Sequence, residues 1–213
     1  MTSPTSATTA TPRDDRKADQ ILEAAKAVFL EHGYAGTSMD LVAQSARVSK
    51  TTLYARFPSK EALFAATIHA ECERRGMQFR AEDFDDLTVE DALCRIGRRF
   101  VDLIWSPEAV RVYQLVVGDA ARFPEIARIF FEHGPTKGRA AVVTYLQRAH
   151  DHGRLRVPDP LFAARELLSM LQGGPWFELT LGVGTAPPPD ERDRFVQRVV
   201  RLFLGGVERM DGR

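Results

Sequence analysis

Residues 37–57 carry the sequence TSMDLVAQSARVSKTTLYARF, which contains two short amphipathic helical patterns with a turn between them. Thr37 or Ser38 can cap the first helix and Ser49 the second, because a hydroxyl oxygen accepts hydrogen bonds from the free N–H groups of a first turn. The second pattern stops at Pro58, since a residue that precedes proline is driven out of the α region. This layout predicts a helix-turn-helix, whose second helix enters the major groove of DNA.

The charge around this motif differs from that of the whole chain. The 213 residues carry 29 basic and 29 acidic side chains, but residues 45–60 contain four basic residues and no acidic one. A phosphate-facing surface requires such a local excess of positive charge. The second helix also presents the side chains Lys50, Thr51, Thr52 and Tyr54, which can reach base edges or phosphates. A helical hairpin with a solvated basic face remains the alternative at this point.

The sequence on both sides of the motif predicts more helices and no strand. The apolar residues Ile21, Ala25 and Val28 lie on one face of a helix that ends at His32-Gly33. Helical periodicity continues to the C-terminus, and proline with glycine interrupts it at 134–135 and 173–175. We therefore expect an all-α protein of about nine helices.

Composition and motifs exclude several classes of protein. No run of 18 apolar residues predicts a membrane span, and residues 1–13, rich in Thr, Ser, Ala and Pro, predict a disordered tail. Cys72 and Cys94 lack metal or redox spacing, so we expect two reduced thiols in a cytoplasmic protein. No nucleophile elbow, zinc-protease, phosphate-loop or dinucleotide motif is present, and His150 and His152 are badly spaced for a metal. We expect no catalysis, no cofactor and no metal site.

Three segments carry a family resemblance: TSMDLVA at 37–43, ARVSKTTLY at 46–54 and FPSKEALF at 57–64. Together with the preceding helix they closely resemble the AcrR-like N-terminal domain of TetR-family transcriptional regulators, over about residues 14–65. Residues 123–155 resemble the AefR-like C-terminal subgroup. After the tail at 1–13, which composition predicts to be disordered, the resemblance implies a three-helix helix-turn-helix DNA-binding domain at 14–60 and a helical ligand-binding and dimerisation bundle at 61–213, which a long helix joins to the first domain.

The resemblance also implies site residues. Those for DNA are Thr37, Ser38, Arg47, Ser49, Lys50, Thr51, Thr52, Tyr54, Arg56 and Lys60. Arg47 and Thr51 stand where the family often has glycine, so we expect strain in the turn or a different turn at Arg47, and an extra side chain facing DNA at Thr51. Tyr54 has a core position as its alternative.

The C-terminal bundle is rich in aromatic residues, which suit a cavity for an apolar or aromatic small molecule but also suit a core. The candidate pocket residues are Phe100, Trp105, Tyr113, Gln114, Phe131, Trp176 and Phe177. By resemblance, the last two helices form the dimer interface, with candidates Leu167, Leu171, Phe195, Val199 and Leu202. Two symmetry-related recognition helices read a palindrome with half-sites about one turn, ~34 Å, apart.

The sequence thus predicts a homodimeric regulator that binds double-stranded operator DNA and a small-molecule effector, with no membrane partner. Our interpretation is a repressor that the effector releases from its operator. A ligand-dependent activator and a helical small-molecule-binding protein with vestigial DNA binding are the alternatives.

Overall fold

The computed structural model describes residues 12–74 and 79–209, and the side chains of residues 16–74 and 79–206. These residues form α-helices and one 3-10 helix, and none of them lies in a strand, which confirms the all-α prediction. The helices are α1 (Pro12–Gly36), α2 (Met39–Ser45), α3 (Lys50–Arg56), α4 (Lys60–Arg74), α5 (Val89–Ile104), α6 (Pro107–Asp119), α7 (Pro124–His133), α8 (Pro135–Asp151), α9 (Pro160–Leu181) and α10 (Pro189–Arg209), with the 3-10 helix at Ala81–Phe84.

The chain divides into two compact units, an N-terminal unit of Met1–Thr67 and a C-terminal unit of Ile68–Arg213. Helix α4 contributes residues to both. The domain boundary at residues 60–61 stays a prediction. Of the predicted tail, residues 1–11 lie outside the described part of the chain, and α1 begins at Pro12.

Aromatic packing holds the N-terminal unit together. The ring of Phe29 stacks on Tyr34 at 6.0 Å and meets the edge of Phe64 at 5.1 Å. Gly33 ends the regular part of α1, as predicted, with φ 68° and ψ 174°. This region of backbone conformation is open essentially to glycine alone. The buried residues around this aromatic group come from all four helices and include Ile21, Ala25, Val42, Leu53 and Leu63.

The core of the C-terminal unit lies between α5, α8, α9 and α10. Trp105 at the end of α5 is 1% exposed, and its indole N–H donates to the carbonyl of Gln172 at 3.2 Å. The other fully buried side chains of this core include Leu93, Ile96, Val142, Leu146, Leu167 and Leu171. A buried polar group requires a hydrogen-bond partner, so the indole fixes the point where α9 bends.

The bend in α9 and the separation of α7 from α8 occur where glycine and proline predicted them. Gly173 has φ 57° and ψ −171°, and a Cβ built on it would lie 2.8 Å from Cζ of Phe195. Pro175 follows in the first turn of the second half of α9, where its missing N–H removes no intrahelical bond. Gly134 has φ −106° and ψ −92°, and α8 begins at Pro135.

The predicted positions of three histidines are confirmed. His32, His133 and His152 lie at helix ends, at Gly33 in α1, at the end of α7 and at the C-cap of α8. Cys72 and Cys94 are free thiols, and burial raises the pKa of Cys72 to about 11. None of the helices in the described segments is long and apolar enough to cross a membrane.

Candidate nucleic-acid interface

Helix α3 buries one side and exposes the other. Leu53 is fully buried, whereas Lys50, Thr51 and Tyr54 are exposed. These three residues share a helix face, since positions three and four apart are neighbours on an α-helix. Tyr54 is 47% exposed, so its alternative core position is wrong. The exposed face therefore combines an ammonium group, a threonine and a phenol, which suit phosphates and base edges.

Hydroxyl groups cap the helices of the motif as the sequence predicts. Ser38 Oγ accepts from the N–H of Leu41 at 3.1 Å, and Ser49 Oγ accepts from the N–H of Thr52 at 3.0 Å. The hydroxyls of Ser49 and Thr52 also lie 2.8 Å apart. These caps satisfy N–H groups that have no partner within a first turn, and they fix where α3 starts.

The turn between α2 and α3 passes through Arg47, which has φ 51°. The N–H of Arg47 donates to the carbonyl of Gln44 at 3.1 Å, and the N–H of Val48 donates to that of Ala43 at 3.0 Å. A left-handed conformation is unfavourable for a residue with a Cβ, so the expected strain at Arg47 is confirmed. The Arg47 side chain is exposed, next to the start of α3.

Lys60 joins the first turn of α4 to the end of α1. Its Nζ donates to the carbonyls of Tyr34 at 2.8 Å and Thr37 at 3.0 Å, and it lies 4.2 Å from the centre of the Tyr34 ring. The neighbouring carboxylate of Glu61 accepts from the Tyr34 hydroxyl at 2.9 Å. A backbone N–H bond, the Ser59 and Tyr34 hydroxyls and Lys60 keep the pKa of Glu61 below its usual range.

Thr37 belongs to the interior of the N-terminal unit. It is 3% exposed, and its hydroxyl donates to the carbonyl of Gly33 at 2.7 Å. A side chain in this position cannot reach a phosphate, so we remove Thr37 from the candidate interface. Ser38 is exposed and stays in it, together with Arg47, Ser49, Lys50, Thr51, Thr52, Tyr54, Arg56 and Lys60.

An acidic residue that the sequence analysis did not consider lies at this surface. Nζ of Lys50 is 2.6 Å from Oδ2 of Asp40, which lies in the first turn of α2. Both side chains are exposed, at 65% and 59% of their surface. The sequence gives no signal for this pair, because ten positions separate the residues and only the turn at Arg47 brings them together.

The structure brings some of the candidate pocket residues together. The rings of Tyr113 and Trp176 meet edge to face at 4.6 Å, and Phe130 adjoins Tyr113 at 6.4 Å. Gln114 is exposed and donates to the carbonyl of Thr180 at 2.8 Å. We call Tyr113, Phe130 and Trp176 the aromatic cluster. It lies where α6, α7 and the second half of α9 meet.

The other candidate pocket residues lie elsewhere. Trp105 is a core residue, with its ring 5.1 Å from Phe195, and Phe100 packs against the same core. Phe131 and Phe177 are 53% and 61% exposed. A separate cleft of about 310 Å³ between α5 and α10 is lined by charged and polar residues, among them Glu90, Asp91, Arg95, Arg98 and Arg201.

The candidate dimer residues need correction. Leu167 and Leu171 are fully buried within the chain, and Val199 is 9% exposed, so these three stabilise the core and are removed from the interface. Phe195 is partly buried beside Trp105. Only Leu202, at 69%, is widely exposed. The sequence pattern identified apolar faces in α9 and α10 but could not tell which of them faces the core.

Two family models match the chain. Residues 91–206 match the C-terminal domain of AefR-like transcriptional repressors, which is more than half of the chain, and residues 21–67 match the tetR family of bacterial regulatory proteins. The chain belongs to the TetR family. It is a transcriptional regulator with a helix-turn-helix for DNA and, as predicted, not an enzyme.

Similar proteins agree with this assignment. A TetR-family regulator from Mesorhizobium loti MAFF303099 is 27% identical with a TM-score of 0.77, over 92% of this chain and 98% of that one. The flavonoid-responsive regulator FrrA is 33% identical with a TM-score of 0.73, over 90% of this chain and 97% of its own. The activator FasR of Mycolicibacterium smegmatis is 46% identical over 57 residues, 27% of this chain and 26% of FasR. The curated relatives are thus matched over about a third of their length or less, as for Rv1255c of Mycobacterium tuberculosis at 36%.

Proposed function

We propose that this regulator is a homodimeric repressor that binds a palindromic operator and leaves it when a small aromatic or apolar effector binds the C-terminal unit. The observation that carries the DNA-binding part is the exposed face of α3, which presents the side chains of Lys50, Thr51 and Tyr54, while Leu53 is buried in the N-terminal unit. Because the operator DNA of a bacterial regulator lies in the cytoplasm, we propose that the protein acts there.

In this proposal the residues of the interface divide by role. Lys50, Thr51 and Thr52 read base edges from α3, and Tyr54 and Arg56 contact the DNA backbone. Ser38, Arg47 and Ser49 flank the helix, where hydroxyl and guanidinium groups suit phosphates. Lys60 contributes through the one N–H that the carbonyls of Tyr34 and Thr37 leave, so its main role is to hold α1 against α4.

Exposed apolar residues on the last two helices support a dimer. A large side chain that is apolar and exposed in one chain is expected to be covered in an assembly when several such residues adjoin. A two-fold dimer presents the same surface from both subunits. Among the described side chains of α9 and α10, the large apolar residues that are exposed include Leu161, Phe162, Phe177, Leu181 and Leu202, and we assign the interface to these helices.

The aromatic cluster is the proposed effector site. Tyr113 and Trp176 offer ring edges and faces, and an aromatic ligand prefers the offset or edge-to-face contacts that these rings already make with each other. The flavonoid-responsive regulator FrrA supports an aromatic effector, since it matches this chain over most of its length. We propose flavonoids as the first compounds to test.

The proposed mechanism is a shift between two conformers. The effector releases DNA only to the extent that it binds more tightly to the conformer whose recognition helices are misaligned with the operator. We propose that helix α4 transmits this change to the DNA-binding helices, because its residues belong to both units. The AefR-like repressor family favours repression, whereas the match to the activator FasR, confined to about a quarter of each chain, keeps ligand-dependent activation as the second candidate.

Fluorescence anisotropy with DNA from upstream of the protein's own gene tests the proposal. We expect tighter binding to this DNA than to random DNA, and an affinity that falls steeply with salt. Tyr54→Ala should weaken operator binding while leaving the fold intact, since the side chain is exposed. Glu108→Gln in the C-terminal unit is the matched control, and it should bind DNA like the wild type.

The same assay tests the effector and the dimer. Addition of flavonoids should release the operator, with a fatty acid of similar mass as the control compound. A flavonoid that strengthens binding would favour the activator. Sedimentation should give a dimer, and Leu202→Lys should shift it towards monomer because a charge would be placed in the proposed apolar interface. A wild-type monomer on the operator would contradict the proposal.

A further inference from the structure

The ion pair between Asp40 and Lys50 joins two helices of the proposed DNA interface. Nζ of Lys50 and Oδ2 of Asp40 are 2.6 Å apart, one in the first turn of α3 and the other in the first turn of α2. The pair is exposed to solvent on both sides, so it contributes little to folding. Its position on the recognition surface calls for an explanation other than stability.

We propose that Asp40 is a positioning residue that determines specificity, because it directs the ammonium group of Lys50 to base edges and keeps it from phosphates. This inference rests on the proposed function of α3 as the DNA-reading helix. Lys50 has three N–H donors, and the bond to Asp40 uses one of them. The remaining donors are then held in a restricted direction and stay available to acceptors in the groove.

The two kinds of acceptor on DNA differ in charge, and Asp40 discriminates between them for that reason. A phosphate that approaches the ammonium group also approaches the carboxylate of Asp40, and the two negative charges repel each other. The acceptors of a base edge, such as guanine O6 and N7, carry no net charge, so the carboxylate opposes them less. Asp40 therefore removes part of the sequence-independent attraction and leaves most of the base contact.

The variant Asp40→Asn tests this inference by its effect on random DNA. We expect the variant to bind random DNA about two- to fivefold more tightly at low salt, the range that an exposed ion pair supplies. The plot of log affinity against log salt on random DNA should steepen by up to ~0.9, the value for one additional phosphate contact. Operator affinity should change less or fall, so the ratio of operator to random affinity falls.

Three further variants test whether Asp40 acts through its charge, at its own position and on Lys50. In the Lys50→Ala background, Asp40→Asn should change random-DNA affinity far less than it does alone, because the ammonium group on which Asp40 acts is gone. Asp40→Glu restores the charge and should restore the wild-type ratio. Asp19→Asn removes an exposed charge from α1 and should leave the ratio unchanged. Circular dichroism with thermal unfolding of each variant checks that the overall helical content and stability are unchanged.

The outcomes distinguish this inference from the proposed function. A wild-type protein that binds operator and random DNA equally overturns the proposed function and the inference with it. A wild-type preference that Asp40→Asn leaves unchanged overturns the inference alone. The same holds if Asp40→Asn acts as strongly in the Lys50→Ala background as it does alone, since Asp40 would then act on DNA without Lys50.

Discussion

The two units of the chain separate function from folding in different ways. In the N-terminal unit the side chains proposed to bind DNA are polar and are exposed or half-buried, and those that hold the unit together are mostly apolar and buried, with Lys60 as an exception. In the C-terminal unit both groups are aromatic: Trp105 lies in the core and Trp176 in the aromatic cluster. Residue type therefore identifies most of the candidate site in the first unit, with Thr37 as an exception, whereas only the position in the fold identifies it in the second.

The largest expected difference is in the free energy of unfolding of the alanine variants of the two tryptophans. Trp105→Ala should lower the free energy of unfolding by about 3–5 kcal/mol, because it leaves a cavity and removes the bond to the carbonyl of Gln172. Trp176→Ala should lower it by about 1–2 kcal/mol, since the side chain is only partly buried. Urea denaturation followed by circular dichroism measures both.

The response to the effector should depend on Trp176 and not on Trp105, the opposite order to their effects on stability. Trp176→Ala should abolish the release of operator by an effector that acts on the wild type. Trp105→Phe keeps a ring in the core and should keep the response. A loss of response in Trp105→Phe with a normal response in Trp176→Ala would place the effector in the core and reverse the comparison.

Gly33 and Gly173 allow the strain of one conformation to be compared between the units. Each has a positive φ with ψ near 180°, so alanine at either position should lower the free energy of unfolding by about 1–3 kcal/mol. Gly173→Ala should be the more severe, because the new Cβ also meets the ring of Phe195 at 2.8 Å. Thermal unfolding of the two variants measures the difference, and equal losses would mean that Phe195 moves aside freely.

Arg47→Gly should change stability and DNA binding in opposite directions. Glycine relieves the left-handed strain at φ 51°, which should raise the free energy of unfolding by up to about 1 kcal/mol. The loss of the guanidinium should weaken DNA binding. It should also make the slope of log affinity against log salt less steep by about 0.9, the value for one phosphate contact. Arg47→Ala loses the charge but keeps a Cβ, so it should weaken DNA binding without the gain in stability.

The smallest expected effect is a pH dependence that differs between the units. Burial, Lys137 and His69 lower the pKa of His133, while the charge of Glu132 opposes them. The unfolded imidazole binds a proton below about pH 6.5 and the folded one binds it only at lower pH, so stability falls as the pH falls through this range. His133→Gln should therefore lose less stability than the wild type between about pH 7 and about pH 5.

Glu61 in the N-terminal unit provides the contrasting titration. Its pKa is lowered, so the stability it contributes is present at neutral pH and is lost as the pH falls through the folded pKa, below the range in which His133 acts. Between about pH 7 and about pH 5, the free energy of unfolding of Glu61→Gln should change with pH as it does in the wild type. Only at lower pH should it fall less steeply than that of the wild type. If the free energy of unfolding of His133→Gln fell as steeply as that of the wild type between about pH 7 and about pH 5, the assignment of this pH dependence to His133 would be wrong.

Local sequence signals predicted much of the fold. Hydroxyl caps at Ser38 and Ser49, and glycine with proline at Gly134 and Gly173, act within a few residues of themselves, so their effects can be read without the fold. The strain at Arg47 was expected from the family resemblance, because glycine often stands at this position of the turn.

Predictions that depended on distant contacts were less accurate. Leu167 and Leu171 lie on an apolar face, but periodicity does not tell whether that face meets the chain's own core or another subunit. Thr37 has the residue type of a phosphate contact, and its burial follows from the bend at Gly33 that turns its hydroxyl inward. The pairing of Lys50 with Asp40 depends on how α2 and α3 cross, which a linear pattern does not encode.

The bend at Gly173 makes α9 a helix of two halves with different tolerance to mutation. Before the bend, Ala163, Ala164 and Leu171 are locked into the core, and after it Phe177 and Leu181 are open to solvent in the single chain. Substitutions after the bend can change the surface of α9 without disturbing the packing before it. A library that diversifies the exposed positions 177, 178 and 181 should therefore yield many folded proteins with altered ligand response or assembly, whereas one at the buried positions 163, 164, 167 and 171 should yield few folded proteins.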